Sequence, residues 1–366
     1  MLAIADILRI KDRSGEELKV EDFGPIIDML RSSKAIERFD RLRKPKGRRL
    51  MYDTVQMLTI CLYMEVRKMT LGGVIADLSD IGGQKRMEAL GMPFVNGRYR
   101  CPTKSWMSDF MNKVWPGLED DLEDEVMEMI VESQSEALFT CDSTPLEASR
   151  YSERCTFNPH YDIRMDKCHM IMCNGHPVCY SHTPGTVFDG NELKGLLDRL
   201  PKGACSKGLG FVTDGNYDGI EHYVDVYLAT GMIMTSNCGV QAVIRKEGTW
   251  DNLMKRYNSM WRNHDYRSPK DVGKDFIIRY LCRHGERRIV GMYLRNQDLL
   301  RKEKEGLVLD KARHVCETVH HAMKRWLRFD VRGLIGKNVR NRVGLRFLFA
   351  QILSFVFVDY PLWDTE

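Results

Sequence analysis

Apolar residues follow two different spacings along the chain, and the change comes near residue 135. Before that point they recur at helical intervals between breaks marked by glycine and proline. The helices predicted there span residues 20–31, 52–67, 71–78, 84–90, 104–114 and 119–133. This pattern predicts a helical N-terminal region over residues 1–134.

Short apolar runs typical of strands begin at residue 137. The predicted strands span residues 137–142, 167–173, 177–182, 209–213 and 232–236. Asn174 and Gly175 between the second and third strands indicate a hairpin turn. Asp189 is predicted to cap the next helix, with Glu192 in the capping-box position, and a further helix spans residues 219–229. A hairpin followed by alternating helices and strands predicts an α/β fold in which helices flank a mixed sheet.

The rest of the chain is read as a charged insertion followed by two helices. Residues 238–305 interrupt the alternation of strands and helices, and we interpret them as an insertion with a hairpin at 276–283 and 288–294. The helix predicted at 311–326 has one apolar face and one face of mixed charge. The last helix, at 343–357, is apolar enough to lie against the sheet.

The distribution of charge is more informative than its total. A net charge of +4 over 366 residues gives no overall field that indicates a nucleic-acid partner. A basic run at 41–49 indicates either an exposed loop or a nucleic-acid contact. Residues 325–346 carry many cations against the single acid Asp330, which favours a DNA track. These cations are Arg325, Arg328, Arg332, Lys337, Arg340, Arg342 and Arg346.

Cysteine usage and hydropathy indicate the compartment. The chain has 11 cysteines without regular disulfide spacing, which is typical of reduced thiols in an intracellular protein. Neither a signal peptide nor a membrane-spanning segment is indicated, since the most apolar run, 345–358, is short and interrupted by Arg346 and Gln351. We therefore expect a soluble, cytoplasmic protein.

Acidic residues at the ends of predicted strands are the best candidates for chemistry. Asp142 and Asp214 each end an apolar strand, and Glu317 lies on the polar face of the helix at 311–326. Ligands gather at the carboxyl ends of strands in open α/β sheets, and carboxylates are what Mg²⁺ prefers. The three residues therefore fit a two-metal phosphodiester site. A single aspartate at such a position is more often a cap or turn residue.

A second candidate site is a cluster of cysteine and histidine residues. Cys173, His176, Cys179 and His182 follow one another at three-residue intervals, which suggests a zinc site. However, they fall in the predicted hairpin, where side chains alternate between faces. Buried thiols and solvated imidazoles are therefore the preferred interpretation.

Three stretches of the chain resemble the DDE transposases of bacterial and archaeal insertion sequences. Cys141-Asp-Ser-Thr is similar to the family's first motif, and Phe211-Val-Thr-Asp-Gly-Asn-Tyr-Asp is similar to its second. The third motif, Tyr-x-x-Arg-x-x-x-Glu-x-x-x-x-x-x-Lys, matches at Arg313, Glu317 and Lys324. The chain departs from the family at Asp310, which occupies the position of the tyrosine.

The resemblance implies a domain organisation and a set of ligands. It implies an RNase H-like catalytic domain over 135–358, interrupted by the insertion 238–305, and an N-terminal region 1–134 that binds DNA. Asp142, Asp214 and Glu317 would be the catalytic residues and would bind two Mg²⁺ (or Mn²⁺) ions. The candidate DNA-binding residues are Arg313, His320, Lys324, Arg328 and Arg332.

The implied activity is cleavage at the ends of a mobile element, with water as nucleophile, followed by joining of the freed 3′-hydroxyls to target DNA. The implied partner is double-stranded DNA, bound by a homodimer in the cytoplasm at the nucleoid and away from any membrane. Three alternatives remain open. They are a structure-selective nuclease without strand transfer, a domesticated DNA-binding protein and a non-catalytic α/β protein.

Overall fold

The structure is a computed structural model. It describes residues 10–12, 18–43, 51–148, 155–201, 208–236, 243–261, 272–305, 308–331, 338–357 and 363–365, and of residues 10–12, 303–305, 308–314, 338 and 363–365 it describes the backbone alone. A short strand, β1 (Ile10–Asp12), pairs in antiparallel fashion with β10 (Trp363–Thr365), which brings the two ends of the described chain together.

The N-terminal region is helical, as predicted. Its α-helices are α1 (Phe23–Ser32), α2 (Lys34–Arg43), α3 (Thr54–Val66), α4 (Leu71–Ser79), α5 (Gly83–Ala89), α6 (Lys104–Asp109) and α7 (Glu119–Ser133). A π-helical turn, Phe110–Val114, extends α6, and a small hairpin of β2 (Phe94–Val95) and β3 (Arg98–Tyr99) follows α5. Helix α2 and this hairpin are absent from the sequence prediction.

Helix α3 lies at the centre of this region. Asp53 caps it, since its carboxylate accepts a hydrogen bond from the Gln56 amide at 2.7 Å and the Gln56 side chain accepts one from the Asp53 amide at 3.1 Å. Nearly every residue of α3 is buried. A helix that is apolar on all sides is typical of a core position with neighbours all around it.

The prediction of an α/β fold with a mixed sheet is confirmed. Its strands are β4 (Ala137–Glu147), β5 (Thr156–Asn158), β6 (Ile163–Cys173), β7 (His176–Pro184), β8 (Gly208–Thr213) and β9 (Met234–Ser236). Their order is β7-β6-β4-β8-β9, with β5 beside the beginning of β6. Strands β6 and β7 are antiparallel to their neighbours, whereas β4, β8 and β9 are parallel. This is the RNase H-like arrangement expected from the sequence.

The β6–β7 hairpin forms at the predicted turn. Asn174 and Gly175 both have positive φ, of 51° and 84°. Such a pair of dihedrals is typical of the type I′ turn, which matches the twist of the adjoining strands. The Asn174 side chain also accepts a hydrogen bond from the Leu138 amide at 2.8 Å. The turn is thereby attached to β4.

Helices cover the sheet and complete the domain. They are α8 (Asp189–Arg199), α9 (Ile220–Thr230), α10 (Trp250–Trp261), α11 (Lys274–Arg283), α12 (Arg287–Glu305), α13 (Val308–Leu327) and α14 (Asn338–Val356). Helix α13 packs on β4, β8 and β9, while α7 and α14 pack on β7. Among the described helices, none combines the length and apolar composition that crossing a bilayer requires.

The hairpin predicted within the insertion is wrong. Residues 274–283 and 287–305 form helices α11 and α12. The apolar residues Ile277, Ile278, Leu281 and Cys282 are all buried. The last three follow Ile277 by one, four and five positions, which places all four on one face of a helix. The sequence interpretation took a short apolar run for a strand, an ambiguity that short runs always carry.

Two of the arginines assigned to a DNA track are buried instead. Arg346 donates to the Glu65 carboxylate at 2.9 Å, and Arg342 forms a second ion pair with the same carboxylate. Glu65 is 1% exposed and Arg346 is 5% exposed. These pairs connect α3 to α14 and exclude Arg342 and Arg346 from contact with DNA. Lys337 lies outside the described residues.

Candidate carboxylate site

The first two predicted acids lie side by side in the sheet. Strands β4 and β8 run parallel, and their last paired residues are Cys141 and Thr213. Asp142 and Asp214 directly follow that pair on neighbouring chains, which in a sheet are about 4.8 Å apart. Both side chains are partly exposed. The tertiary structure thus places these two residues next to each other on adjacent chains.

Strand β4 does not end at Asp142, contrary to the sequence prediction. It continues to Glu147 in antiparallel pairing with β6. The sequence analysis missed this extension because it identified strands by their apolar runs, and the extension contains polar residues. Backbone pairing with β6 does not require apolar side chains. Asp142 therefore lies where β8 leaves β4, and its carboxylate accepts a hydrogen bond from the Ser143 amide at 2.8 Å.

Asp214 begins a tight turn that is held by its own backbone. Its side chain accepts a hydrogen bond from the Gly215 amide at 2.6 Å, and a 3₁₀ turn, Gly215–Tyr217, follows. The backbone carbonyl of Asp214 accepts a hydrogen bond from the Ser236 hydroxyl at 3.0 Å, at the end of β9. Two neighbouring strands thereby fix the position of this aspartate.

Glu317 is on the helix that covers these strands. Val315, Cys316 and Val319 are buried against the sheet, whereas Glu317 is exposed. Burial raises the pKa of the Cys141 thiol well above its usual value, and Cys316 contributes to the increase. The two cysteines are therefore near neighbours. Each directly precedes in sequence one of the predicted catalytic acids, Asp142 and Glu317.

The donor chemistry of these residues fits a hard divalent cation, since all three are carboxylates. Asp142 and Asp214 are already adjacent. Among the described residues, however, no group of three or more histidine, cysteine, aspartate or glutamate side chains stands close enough to hold a metal ion. The sheet register supports the pairing of Asp142 with Asp214, and Glu317 as the third ligand stays a prediction.

The structure adds a fourth acid, Asp189, that the sequence analysis assigned to helix capping. Asp189 is the first residue of α8 and makes no capping bond. Its buried carboxylate instead lies 2.9 Å from Lys167 Nζ and accepts a hydrogen bond from Asn216 Nδ2 at 3.2 Å. His169 Nδ1 is 3.5 Å away. The alternation of Lys167 and His169 along β6 was the sequence signal that could have indicated an acidic partner on that face.

Tyr161 lies in the electrostatic field of three of the acids. Partial burial raises the pKa of its phenol, and the charges of Asp189, Asp142 and Asp214 raise it further. The hydroxyl therefore lies within electrostatic reach of all three aspartates. Nothing in the local sequence around Tyr161 indicates this, because the strands that carry the aspartates are distant along the chain.

The candidate DNA-binding residues fall into different environments. The Lys324 side chain is exposed to solvent, and the part of it that is buried lowers the pKa of its amine. Arg328 is exposed and donates to the Lys68 carbonyl at 2.9 Å. Of Arg313 the structure describes only its position in α13, and Arg332 lies outside the described residues.

His320 is buried rather than available to DNA. It is 6% exposed, and burial, aided by the charge of Lys324, lowers its pKa to about 3. This burial argues against a direct contact between His320 and DNA. Helix α13 contacts α3, α14 and the strands β1, β4, β8 and β9, so more of its surface is buried than the one apolar face predicted from the sequence.

The zinc interpretation finds no support among the described residues. Cys173 pairs with His176 at the hairpin turn, whereas Cys168 pairs with His182 near its far end. His182 Nε2 lies 2.9 Å from Asp166 Oδ2. The histidines and cysteines are thus spread along the strands, and the described side chains form no metal-holding group.

The mixed sheet with helices packed on it places the protein in the α/β class, and comparison identifies the family within that class. Residues 135–350 match the family model described as a transposase DDE domain. This match covers more than half of the chain, and the chain therefore belongs to the DDE transposase family.

Further comparisons add little. A solved structure of the piggyBac transposase, in a synaptic complex with hairpin DNA, is similar over 92% of this chain and 82% of that chain, with 10% identity and a TM-score of 0.33. A similarity that low carries no inference about this protein. No curated protein matches the chain.

Proposed function

We propose that this protein is a metal-dependent DNA transposase of the insertion-sequence type. It cleaves DNA at the ends of its element and joins the freed 3′-hydroxyls to target DNA. The observation that carries this proposal is the adjacency of Asp142 and Asp214 at the point where the parallel strands β4 and β8 part, in a chain of the DDE transposase family.

Each acid has a distinct part in the proposed site. Asp142 and Asp214 form the fixed half, because both are attached to strands of the sheet. Glu317 forms the adjustable half, because its exposed side chain extends from α13. The three acids would hold two Mg²⁺ or Mn²⁺ ions, which would supply activation of the attacking oxygen and stabilisation of the leaving oxygen.

The C-terminal half of α13 is the proposed path of the DNA backbone near these acids. Lys324 lies about two helical turns after Glu317, and Arg328 follows directly after the helix ends. Arg328 has a φ of 49°, a conformation that usually favours glycine at this position. An arginine there is strained, which supports a use for its side chain. Arg313 belongs to the same path in this proposal.

The N-terminal region is the proposed site of end recognition. Helices α4 and α5 are joined by a short turn, and Gly83 packs so closely that a Cβ would overlap the Leu78 carbonyl. Two helices at a tight, glycine-containing turn are typical of DNA-binding units. Lys85 is exposed on the second helix. The proposed assembly is a homodimer that holds two element ends.

The decisive experiment is cleavage and joining of end DNA by the purified protein in Mg²⁺. Glu317→Gln, Asp142→Asn and Asp214→Asn should each reduce cleavage by a factor of about 10³ or more, because each removes a proposed metal ligand. DNA binding measured in EDTA should remain within about twofold of the wild type. Asp198→Asn, which alters an acid on the exposed surface of α8, is the matched control and should retain full activity.

The alternatives give different products. Cleavage without joined product would indicate a nuclease, and salt-dependent DNA binding without cleavage would indicate a domesticated DNA-binding protein. Full activity of Glu317→Gln would overturn the proposed site. Absence of salt-dependent DNA binding in the wild type would overturn the function as a whole.

A further inference from the structure

Helix α12 of the insertion is attached to the turn that follows the second aspartate. Arg295 donates two hydrogen bonds to the Asp218 carboxylate, at 2.9 Å from Nε and 2.7 Å from Nη2. The side chains are only 13% and 17% exposed. Paired, charge-assisted bonds of this kind are short, directional and stronger than neutral ones. They fix the orientation of Asp218 relative to α12.

A second contact from the same helix reinforces the first. Asp298 is one turn beyond Arg295 and fully buried. Its carboxylate lies 3.1 Å from the Tyr223 hydroxyl, which is also 3.1 Å from Asp218, and accepts a bond from the Ser236 amide at 3.4 Å. Asp298 therefore connects α12 to the end of β9 and to helix α9.

These contacts surround the turn Asp214–Asp218 from two sides. On one side, Asp189 of α8 accepts a hydrogen bond from Asn216, in the middle of the turn. On the other side, Arg295 holds Asp218 at its end. The Ser236 hydroxyl holds the Asp214 carbonyl at its beginning. The insertion thus supplies one of the groups that hold the turn.

We propose that Arg295 is a positioning residue through which the insertion fixes the Asp214 turn and hence the Asp214 carboxylate. This inference deepens the proposed function and rests on it, since it assumes that Asp214 is a metal ligand. Groups that orient metal ligands typically change metal affinity by about 10–100-fold when they are removed. The insertion then has a role in assembling the carboxylate site, in addition to any contact with DNA.

Arg287 provides a matched control on the same helix. It connects α12 to α9, through Glu221 at 2.8 Å and Asp225 at 2.6 Å, and both of these acids lie on α9 rather than in the turn. Arg295→Gln therefore removes the paired bonds from α12 to the turn, whereas Arg287→Gln removes two ion pairs from α12 to α9. Only the first variant should release the turn.

The first test is amide hydrogen exchange of the full-length protein without metal or DNA. In Arg295→Gln, the peptide covering residues 211–219 should exchange at least about tenfold faster than in the wild type, because the turn opens more often. In Arg287→Gln its exchange should remain unchanged. Equal exchange of this peptide in the two variants would overturn the positioning role.

The second test measures Mn²⁺ affinity by calorimetry and end-DNA cleavage at saturating DNA. Arg295→Gln and Asp218→Asn should each weaken Mn²⁺ binding by about 10-fold or more, and the double variant should add little, because both changes break the same contact. DNA affinity in EDTA should be unchanged. If the wild type itself neither binds Mn²⁺ nor cleaves DNA, the proposed function fails, and the exchange result still decides whether Arg295 holds the turn.

Discussion

At the residue scale, side chains that share one stripe of a helix have different environments. Glu317 and Lys324 are exposed on α13, whereas His320 between them is buried. A helical projection measures only the angle around the axis. It does not include which neighbours surround the helix, and α13 has neighbours on several sides. The polar character of a position therefore did not determine its exposure.

Buried His320 should make the protein sensitive to acid. Its pKa is lowered to about 3 in the folded state, against about 6.5 when unfolded. The unfolded state therefore binds more protons between these values, and the free energy of unfolding decreases as the pH falls through this window, by up to about 1.4 kcal/mol per pH unit.

His320→Leu removes this titration while keeping the site filled. The variant should gain stability relative to the wild type as the pH falls from about 6.5 toward 4, measured by urea unfolding at several pH values. At pH 7 the difference should be small. Parallel stability curves for the two proteins would contradict the assignment of this acid sensitivity to His320.

Gly344 should be intolerant of a side chain. It lies in α14 against the Tyr180 hydroxyl, which donates to Glu119 at 2.8 Å, and a Cβ would overlap both partners. Gly344→Ala should therefore lower the free energy of unfolding by about 1–3 kcal/mol, in spite of the better helix propensity of alanine.

Gly195 provides the control for that substitution. It is an exposed residue of α8 with no atom within 4 Å of the Cβ position. Gly195→Ala should raise stability by about 0.4–1 kcal/mol, since it only restricts the unfolded chain. Thermal unfolding of the two variants measures both effects, and similar shifts of the same sign would refute the close contact at Gly344.

At the element scale, the two outer regions of the chain are joined through buried charge. Glu65 of α3 is paired with Arg342 and Arg346 of α14, and Arg346 also donates to the Asp330 carbonyl. Because α14 packs on β7 as well, these pairs connect the N-terminal helices to the catalytic sheet. The helical region and the sheet therefore share one packed interior rather than only a linker.

Removal of the Glu65 charge should be severely destabilising. Glu65→Gln leaves two buried arginines without their counter-ion, and breaking such a pair typically costs about 3–5 kcal/mol. Glu37→Gln, which breaks an exposed pair with Arg41 in α2, should cost less than about 0.5 kcal/mol. Urea denaturation of both variants tests this, and equal midpoints would contradict the buried network.

At the scale of the whole molecule, a net charge of only +4 means that DNA affinity must come from local groups. Lys324→Ala and Arg328→Ala should each weaken DNA binding and should each reduce the slope of log K against log salt concentration by about 1. Lys194→Ala, on the exposed surface of α8, should change neither. Fluorescence anisotropy at several salt concentrations measures this. A slope unchanged in the first two variants would remove them from the DNA path.

Local sequence was sufficient for most elements and for the motif residues. Helical spacing predicted α3, α4, α7 and α9 to within about two residues, and the Asn174-Gly175 pair predicted its hairpin. These features depend on interactions between residues close in the chain. The insertion was the exception, since its short apolar runs fitted a strand and a helix equally well.

Only the tertiary structure determined the environments of the candidate residues. It placed Asp142 beside Asp214 on adjacent chains, it placed Tyr161 within electrostatic reach of Asp189, Asp142 and Asp214, and it buried His320. These outcomes depend on which distant elements pack together, and periodicity within one element has no information about its neighbours. The sequence by itself therefore determined which carboxylates are candidate metal ligands. The packing of the sheet and its helices determined which of these residues are neighbours in space.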